Sequence, residues 1–466
     1  MTGSRGADNY INERDGVLSV LLSVCEDQTF LDDALAKVLE TGGWTDAGRR
    51  LITRLSKGTV ERLIEMDLRI DVLSTVYVRK MHPVIRAILR FSMYSLFYMD
   101  HMPARAVVNE AVELTKLRAP RGLSGFVNGV LRSAVRQLEH ESRTGTAARQ
   151  DRVIRKPGTA DSKKLWVRSA SGYYSVPSWI IRMWVRDYGR ELTGEMLEGL
   201  YRERGLTARV NQTKTTRDGL LDMWKDRGIT CRPIGRAVAF SPDGPVDQMP
   251  GYTEGYFYVQ DIGSMLAGEL APVAGGERVL DLCAAPGGKA THLAERLKTA
   301  ARRAEKTEPE QTGSVLACDI SPAKLPRMLE NAERLGLEDI MSFQAADAAV
   351  YNPEWEESWE IVLADVPCSG LGVIGHKPDI KLRVKSEDIG ELTGIQRSIL
   401  ENAARYVRPG GHLVYSTCTL CREENDRQIV RFLEDHPEME EVTMTQLLPG
   451  IHDSDGFFMA LLRKRQ

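Results

Sequence analysis

The sequence of 466 residues has no long apolar run. It contains no stretch of 18 apolar residues, and its N-terminus has no charged segment leading into an apolar one. Membrane-spanning helices need the first feature, and secretory signals show the second. We therefore expect neither a membrane span nor a secretory signal.

An excess of charge of one sign is also missing. The chain has 65 acidic and 62 basic residues, which gives a formal net charge of -3. A protein that bound nucleic acid through its overall charge would be strongly basic. Any RNA site must therefore be a local basic patch.

Cysteines are few and scattered, at positions 25, 231, 283, 318, 368, 418 and 421. The paired spacing of a zinc site, C-x-x-C followed by a second C-x-x-C, is absent. Cys418 and Cys421 form one such half, which is compatible with half of a metal site or with a redox pair, but a single C-x-x-C is a weak signal. We expect reduced thiols, and hence a cytoplasmic protein, and no bound metal.

The length predicts about three domains, at roughly 100–200 residues each. Residues 1–140 carry apolar residues at i, i+3 and i+4 with almost no strand-like alternation, which predicts an all-helical domain. Pro83 stands where its missing amide does no harm, and it opens a predicted helix over Val84–Met99.

Two smaller segments follow. Residues 141–165 hold seven Lys/Arg against three Asp/Glu and predict a basic, mobile linker. Residues 166–261 predict a small α/β module of the RNA-recognition type. Its predicted elements are helices over Trp179–Tyr188 and Leu197–Glu203, strands over Ala208–Asn211 and Ala237–Phe240, and a helix followed by a turn over Thr213–Gly228.

Residues 262–466 alternate strands and helices, which is typical of a doubly wound, Rossmann-like α/β domain. The strand Val279–Leu282 is followed by the turn Pro286-Gly287-Gly288 and by a helix that begins at Lys289. Glycines permit close approach of the backbone to a ligand, and the amides of a helix N-terminus can face it. A dinucleotide site competes with this interpretation, but G-x-G-x-x-G is absent.

Acidic residues end the next predicted strands. Asp319 ends Ser314–Asp319 and could accept both hydroxyls of a ribose, and Lys298–Gly313 is interpreted as a surface insertion before that strand. Asp347 ends Phe343–Asp347 and could hold an adenine amine. Each acid alone could be a helix cap or a turn residue, but their order matches the S-adenosylmethionine site of class I methyltransferases. The predicted cofactor-binding residues are Cys283, Ala284, Ala285, Pro286, Gly287, Gly288, Lys289, Asp319, Asp347 and Asp365.

Two further strand ends carry thiols. In Ile361–Leu371 an apolar run leads into Asp365, and Pro367 stiffens the loop that presents Cys368. The apolar run His412–Ser416 is followed by Cys418. Because both thiols come after a strand's carboxyl end, we expect them to share a cleft.

Several of these motifs together resemble a known family. ADVPCSG (364–370), YSTCTL (415–420), LDLCAAPGGK (280–289) and DGFFMALL (455–462) are similar to the Sun/Fmu/NOL1-type RNA cytosine-C5 methyltransferases. His82–Lys116 and Gly125–Arg132 resemble a NusB-like helical domain, and Pro177–Gly189 resembles the segment before the catalytic domain in the same enzymes. A NusB-like domain in front resembles the branch that acts on small-subunit (16S) ribosomal RNA. The loop Gly372–Arg383 departs from the family's basic loop, so its RNA contacts stay open.

The resemblance implies an S-adenosylmethionine-dependent 16S rRNA (cytosine-C5)-methyltransferase. Cys418 is implied to attack the base, and Cys368 to assist breakdown of the adduct. Asp365 can hydrogen-bond the cytosine amine and, if protonated, N3, and Lys289 can supply positive charge near the thiolate. Cys421 and the side chains of Cys283 and Cys318 are interpreted as structural. We expect a monomer that binds ribosomal RNA and not DNA.

Two alternatives remain. The chain could be a non-catalytic RNA-binding assembly factor with a degenerate methyltransferase fold, although Cys418, Asp365 and the Gly287-Gly288 pair are all present. It could also be an enzyme that modifies transfer RNA or another ribosomal cytosine, because RNA shape and loop contacts decide specificity.

Overall fold

The computed structural model describes residues 10–144, 154–202, 205–242, 244–305 and 312–466. Two compact units divide the chain. The first comprises Met1–Gly189 and Ile374–Val384, and the second comprises Arg190–Val373 and Lys385–Gln466. These two units differ from the sequence-based division at residues 140, 165 and 261. The predicted domain boundaries stay a prediction.

The first unit is helical, as predicted. Asn12 caps its first helix by accepting hydrogen bonds from the backbone amides of Arg14 and Asp15. Pro83 is the first residue of the fifth helix, which was predicted over Val84–Met99. The helices are α1 Glu13–Cys25, α2 Leu31–Thr41, α3 Asp46–Glu61, α4 Leu63–Leu73, α5 Pro83–Tyr98, α6 Ala104–Arg118, α7 Ser124–Thr144, α8 Lys163–Tyr173 and α9 Ser178–Tyr188.

A distant piece of chain completes this helical unit. The segment Ile374–Val384, which has a short helix over residues 380–383, belongs to it. The Asp379 carboxylate accepts a hydrogen bond of 3.1 Å from the amide of Leu31, the first residue of α2, whose own preceding residue offers no capping side chain. The buried Lys381 amine donates to the carbonyl of Glu61, the last residue of α3, at 2.6 Å. Most of the loop Gly372–Arg383, whose RNA contacts the sequence leaves undetermined, therefore belongs to the helical unit.

The predicted basic linker is only partly described. Helix α7 extends to Thr144, and farther on Arg155 forms an ion pair with Asp161. The buried Ile154 also lies in this stretch. Residues 145–153, the middle of the predicted linker, lie outside the described residues. The described ends of the segment are therefore ordered by helix formation and ion pairing.

The second unit begins with α10 Arg190–Gly199 and a small antiparallel sheet. Its strands are β1 Leu206–Val210, β2 Thr230–Ile234, β3 Ala237–Ser241 and β4 Phe257–Val259, in the order β2-β3-β1-β4, with α11 Arg217–Lys225 between β1 and β2. Trp224, Phe240 and Phe257 pack together in its core. The α/β module is thus confirmed, but α10 begins and ends earlier than the predicted helix Leu197–Glu203.

A larger mixed sheet follows, with seven strands in the described residues, in the order β10-β11-β9-β8-β5-β6-β7. Strands β5 to β9 pair in parallel, while β11 runs antiparallel to β9, and β10 to β11. The elements are α12 Ile262–Leu270, β5 Arg278–Asp281, α13 Gly288–Arg303, β6 Ser314–Asp319, α14 Leu325–Leu335, β7 Met341–Ala345, β8 Trp359–Asp365, α15 Ile380–Arg383 (of the helical unit), α16 Asp388–Tyr406, β9 Val407–Thr417, α17 Asp426–Asp435, β10 Met439–Leu447 and β11 Phe457–Lys464.

The topology of this sheet fixes where a ligand can bind. The chain runs outward from β5 through β6 to β7 and then crosses to β8 on the other side of β5. Open α/β sheets bind ligands at the carboxyl ends of the strands where the strand order reverses. This point lies between β5 and β8, and it confirms the doubly wound class.

Two predictions in this sheet need correction. The third strand ends at Ala345, so Asp347 lies two residues beyond the strand instead of at its end. Helix α13 continues to Arg303, so the first part of the predicted insertion Lys298–Gly313 is helical. Residues 306–311 lie outside the described part. In both cases periodicity located the element and missed its boundary.

Across the described ranges, no helix has both the length and the apolar character needed to cross a membrane.

Candidate active site

The two cysteines that were singled out from the sequence lie side by side. Cys418 directly follows β9, and Cys368 comes three residues after β8, the neighbouring parallel strand. Their sulfur atoms are 3.4 Å apart, and both thiols are reduced and partly exposed. The expected shared cleft therefore contains two thiols in hydrogen-bonding contact.

A lysine and a serine hold the carboxylate at the end of β8. The Lys289 amine donates to one oxygen of Asp365 at 2.6 Å, and the Ser416 hydroxyl donates to the other at 2.7 Å. Lys289 is the second residue of α13, and Ser416 pairs with Asp365 in the β8–β9 register. Three elements thus fix the orientation of the carboxylate, and Ser416 was not predicted.

A buried glutamate supports the loop that carries Cys368. Glu424 is fully buried and accepts hydrogen bonds from the amide and the hydroxyl of Ser369, at 2.8 and 2.6 Å. The amide of Gln396 on α16 donates to Glu424 and to the Pro367 carbonyl, both at 2.9 Å. Sequence analysis missed Glu424 and Gln396, because only the fold brings them to this loop.

The glycine-rich turn lies at the carboxyl end of β5. Gly287 has φ +100°, a conformation that favours glycine, and a Cβ on Gly288 would lie 3.1 Å from the Tyr258 ring. The Asn331 side chain donates to the Pro286 carbonyl at 3.1 Å. The turn is therefore shaped so that its backbone can approach a ligand closely.

The predicted acids lie around this turn at different depths. Asp319 is buried and accepts from the amides of Ala285 and Ser321, at 3.3 and 3.0 Å, which ties β6 to the turn. Asp347 is exposed, and one of its oxygens accepts from the Ala349 amide at 2.9 Å. The other predicted members of the turn, Cys283, Ala284 and Ala285, connect β5 to it.

One further acid was missed. Asp281 ends β5 and is fully buried, and its Oδ2 atom has no hydrogen-bond partner in the described part of the chain. Burial, and after it the nearby Asp365 carboxylate, raises the pKa of Asp281 to about 7. The signal in the sequence was the acid that closes the apolar run Val279-Leu280.

Models of three families match this chain. Residues 268–463 match the 16S rRNA methyltransferase RsmB/F model, residues 11–136 match the NusB family, and residues 176–246 match the ferredoxin-like domain of RsmF/B-like methyltransferases. These assignments confirm the three kinds of fold that the sequence predicted.

Curated relatives extend the likeness to the whole chain. The probable ribosomal RNA small subunit methyltransferase B of Bacillus subtilis is 33% identical over 97% of this chain and 98% of its own length. The chain belongs to the ribosomal RNA small subunit methyltransferase B family. The ribosomal RNA small subunit methyltransferase B of Salmonella arizonae is 31% identical over 90% of this chain and 91% of its own. The resemblance inferred from the sequence motifs is thus confirmed.

Solved structures share the fold. The crystal structure of PH0851 covers 96% of this chain and 98% of its own at a TM-score of 0.75 and 24% identity. NSun6 from Pyrococcus horikoshii, solved with SFG, covers 62% of this chain and 98% of its own at a TM-score of 0.53 and 20% identity. At these identities the comparison shows the fold alone.

Two groups next to Cys418 in this methyltransferase B family member have shifted pKa values. The hydrogen bond with Cys418, together with burial and the nearby Glu424, raises the pKa of Cys368 well above that of a free thiol. Burial opposes the charge of Lys289, but the carboxylates of Asp365 and Asp281, and the Cys418 thiol, raise the pKa of that amine. A protonated amine and a protonated Cys368 thiol therefore lie close to Cys418.

The other cysteines are suited to packing. Burial raises the pKa values of Cys318 and Cys421 to about 12 and also raises that of Cys283. Thiols this weakly acidic are poor nucleophiles at neutral pH. In the described ranges no group of three or more His, Cys, Asp and Glu side chains could hold a metal ion.

The turn and its acids fit S-adenosylmethionine, the cofactor of methyltransferases of this fold. The unpartnered Asp281 oxygen, the open backbone at Gly287 and the buried Asp319 carboxylate lie at the strand ends where the sheet order reverses. The family therefore supports methylation that depends on S-adenosylmethionine, and the residues present can hold that group.

Proposed function

We propose that this protein methylates carbon 5 of a cytosine in small-subunit ribosomal RNA, through a covalent bond between Cys418 and carbon 6 of the base. The pair of thiols at the ends of β8 and β9, with sulfur atoms 3.4 Å apart beside the Lys289–Asp365 ion pair, carries the proposal. Methylation of an amine or of a ribose would not call for two neighbouring thiols.

Cys418 is the nucleophile in this proposal. Cytosine carbon 5 is a poor nucleophile until a group adds at carbon 6, so the thiolate must form first. The high pKa of Cys368 keeps that thiol protonated, so it can donate its hydrogen to the Cys418 sulfur, and the Lys289 amine adds positive charge nearby. Both effects favour the charged form of Cys418.

Asp365 orients the base. Each of its oxygens accepts one hydrogen bond, from Lys289 or Ser416, and each retains a lone pair for the exocyclic amine of cytosine. Donation to N3 would need a protonated Asp365 carboxyl. The Lys289 amine, which donates to this group, favours the carboxylate and hence the role of acceptor. Formation of the bond from sulfur to carbon 6 then places electron density on carbon 5.

S-adenosylmethionine supplies an electrophilic methyl group when it is bound. In this chain the turn Cys283–Gly288, with Asp319 and Asp347, would hold it, and Asp281 adds a buried oxygen that lacks a partner. We assign Asp319 to the ribose hydroxyls and Asp347 to the adenine amine.

Cys368 acts in the second half of the reaction. After carbon 5 gains the methyl group, a base must take its remaining proton, and the electron pair of that C–H bond re-forms the 5,6 double bond and expels Cys418 as a thiolate. We assign Cys368 to this breakdown of the adduct, because its sulfur is adjacent to Cys418 and Glu424 holds its loop. The products are 5-methylcytosine, S-adenosylhomocysteine and a proton, and both cysteines are regenerated.

The names of the relatives support small-subunit ribosomal RNA as the substrate. The target base must leave its stack to reach thiols at a strand end, since a stacked base exposes only its edges. The cytoplasmic location and the monomeric state stay predictions.

Trapping experiments with the two cysteine variants test this proposal. With S-adenosylmethionine, target RNA and a reductant present, Cys368→Ser should accumulate a protein–RNA adduct that survives denaturing electrophoresis. Cys418→Ser should form no adduct and lose turnover, because a serine hydroxyl is far less ionised than a thiol. Cys231→Ser, in the small sheet, is the matched control and should behave as the wild type.

The opposite outcomes are equally clear. An adduct with Cys418→Ser and none with Cys368→Ser would exchange the two roles, and no adduct in any variant would remove the covalent route. Bisulphite mapping of RNA from cells with and without the protein then identifies the target. A protected cytosine in transfer RNA alone would overturn the ribosomal assignment.

A further inference from the structure

A second, strongly basic cleft lies away from the cysteines. It has a volume of about 800 Å³ and is formed by β1, the N-terminal part of α11, the β2–β3 turn, α12 and α13. We call it the arginine cleft, after the arginines that line it: Arg209, Arg217, Arg236, Arg296, Arg302 and Arg303. Three carboxylates, Asp218, Glu269 and Glu295, also line it.

Two of the three carboxylates are occupied. Glu295 forms an ion pair with Arg209 at 2.8 Å, and both side chains are almost fully buried. Asp218 lies 3.1 Å from the guanidinium of its neighbour Arg217. The other four arginines of the cleft face one further lining acid in the described part of the chain, Glu269. The cleft therefore has an excess of positive charge.

Arg296 makes its hydrogen bonds to neutral partners. Its guanidinium donates to the carbonyls of Gly268 and Ala271, at 2.5 and 2.8 Å. Burial lowers the pKa of Arg296, the more distant charges of Glu269 and Glu277 raise it, and that of Arg236 lowers it. A guanidinium held by neutral carbonyls, with a second arginine close by, is well placed to bind an anion.

The nearby histidine reports the same field. His292 lines the cleft and is buried. Burial, and then the charges of Arg209, Arg296 and Arg236, lower its pKa well below the ordinary value. His292 is therefore neutral, and the positive field of the cleft comes from arginines that stay charged at every physiological pH.

The cleft extends from the cofactor turn to a distant end. At the near end the Arg209 guanidinium donates to the Gly288 carbonyl of that turn. Lys289, the second residue of α13, lies near the cysteine pair, and Arg303 ends the same helix 14 residues later. At 1.5 Å per residue this separates their backbones by about 21 Å. A group bound near Arg303 is therefore neither the cofactor nor the target base.

We propose that the arginine cleft binds backbone phosphates of the substrate RNA outside the target nucleotide. This inference rests on the proposed function only in taking RNA as the substrate. Planar guanidinium groups match phosphate oxygens in pairs, and phosphate contacts hold the register of an RNA without reading its sequence. The cleft is open, as a polymer requires, and the small sheet and the methyltransferase domain both contribute to it.

Salt dependence of RNA binding tests this site. Arg236 and Arg303 are exposed, so the double variant Arg236→Ala/Arg303→Ala should fold as the wild type. The slope of log K against log salt is negative. For single-stranded RNA each lost phosphate contact makes it less steep by about 0.7, so two lost contacts should make it less steep by about 1.4. Binding of a ribosomal RNA fragment should weaken at low salt, while S-adenosylmethionine affinity stays unchanged.

Arg278→Ala/Arg408→Ala is the matched control, because both residues lie at the opposite, amino-terminal ends of β5 and β9 and pair with Glu360. Its slope should equal that of the wild type. An unchanged slope in the Arg236/Arg303 variant, or an equal loss in the control, would overturn the site.

A competition arm separates RNA from small anions. Tripolyphosphate should displace the RNA fragment no better than a simple salt at the same ionic strength. Specific displacement at low concentration, with RNA affinity insensitive to the arginine substitutions, would assign the cleft to a small phosphate ligand and overturn the RNA assignment. Because binding is measured without turnover, a protein that binds RNA through the cleft but makes no 5-methylcytosine would refute the proposed function alone.

Discussion

Asp281 is a buried carboxyl group beside the cofactor turn whose protonation responds to pH. It is fully buried, one of its oxygens has no partner in the described residues, and its pKa is raised to about 7. A carboxyl group with this pKa changes charge in the physiological range. The residue thus makes the stability of the ligand-free protein depend on pH.

The sign of this dependence follows from the direction of the shift. Between pH 4 and pH 7 the folded protein holds the Asp281 proton and the unfolded chain does not, so the free energy of unfolding falls as the pH rises. A shift of about three units corresponds to about 4 kcal/mol. Asp281→Asn should therefore gain stability over the wild type as pH increases from 4 to 7, with little further gain above. Urea unfolding at several pH values measures this, and a pH-independent difference would refute it.

Asp319 allows a separate test of the cofactor site. Its carboxylate accepts a hydrogen bond from the Ala285 amide of the turn, and in the proposed function it also accepts a ribose hydroxyl. Asp319→Ala should weaken S-adenosylmethionine binding by about 1–3 kcal/mol, the range for leaving buried polar partners unpaired. Glu330→Gln, an exposed change on α14, is the control in calorimetry. Equal affinity for the Asp319 variant and the control would remove Asp319 from the site.

At the scale of elements, the loop after β8 depends on a carboxylate 55 residues later in the chain. Glu424 holds the amide and hydroxyl of Ser369, next to Cys368. Glu424→Gln replaces one acceptor by a donor, and we expect it to lower the free energy of unfolding by about 1–3 kcal/mol and to slow release of the adduct. The thermal unfolding midpoint and denaturing gels measure these two effects.

The neighbouring Glu423 provides the control for this experiment. It forms ion pairs with Arg427 and Arg431 at the surface. Surface ion pairs contribute little, about 0–1 kcal/mol. Glu423→Gln should leave adduct release unchanged, and an equal effect of the two substitutions would show that Glu424 has no special role.

The same elements show what the sequence could predict. The strands that carry Asp319, Asp365 and Cys418 are apolar runs with a polar residue at the end, so local pattern located them. Residues such as Glu424 and Ser416 escaped because their polar partners lie on other strands and loops. Asp347 was misplaced because periodicity does not indicate the last ladder hydrogen bond of a strand.

At the scale of the molecule, the membership of Ile374–Val384 in the helical unit was also beyond sequence analysis. Amphipathic spacing identifies each helix of residues 1–140 but not a cap supplied by Asp379 to α2. Departure of the loop from the family's basic pattern was the one local signal. In the structure Asp379 and Lys381 of this loop satisfy the ends of two helices.

This arrangement predicts a specific stability change. Asp379→Ala removes the only side chain that caps the α2 amide of Leu31 among the described contacts. Loss of an N-terminal cap costs about 1 kcal/mol, and hydrogen exchange in α2 should accelerate accordingly. Asp33→Asn, an exposed change in the first turn of the same helix, is the control and should alter exchange by a few tenths of a kcal/mol at most. Equal protection in the Asp379 variant and the wild type would refute the capping role.

The cap on α2 also sets an order of events during synthesis. Leu31 and Asp379 are separated by 348 residues. At roughly 5–20 residues per second, the ribosome needs from under half a minute to more than a minute to make the chain between them. For that time the nascent helical unit has neither the cap from Asp379 nor the Lys381 contact at Glu61. The first unit to leave the ribosome is therefore completed only after strands β5 to β8 of the methyltransferase sheet have been translated.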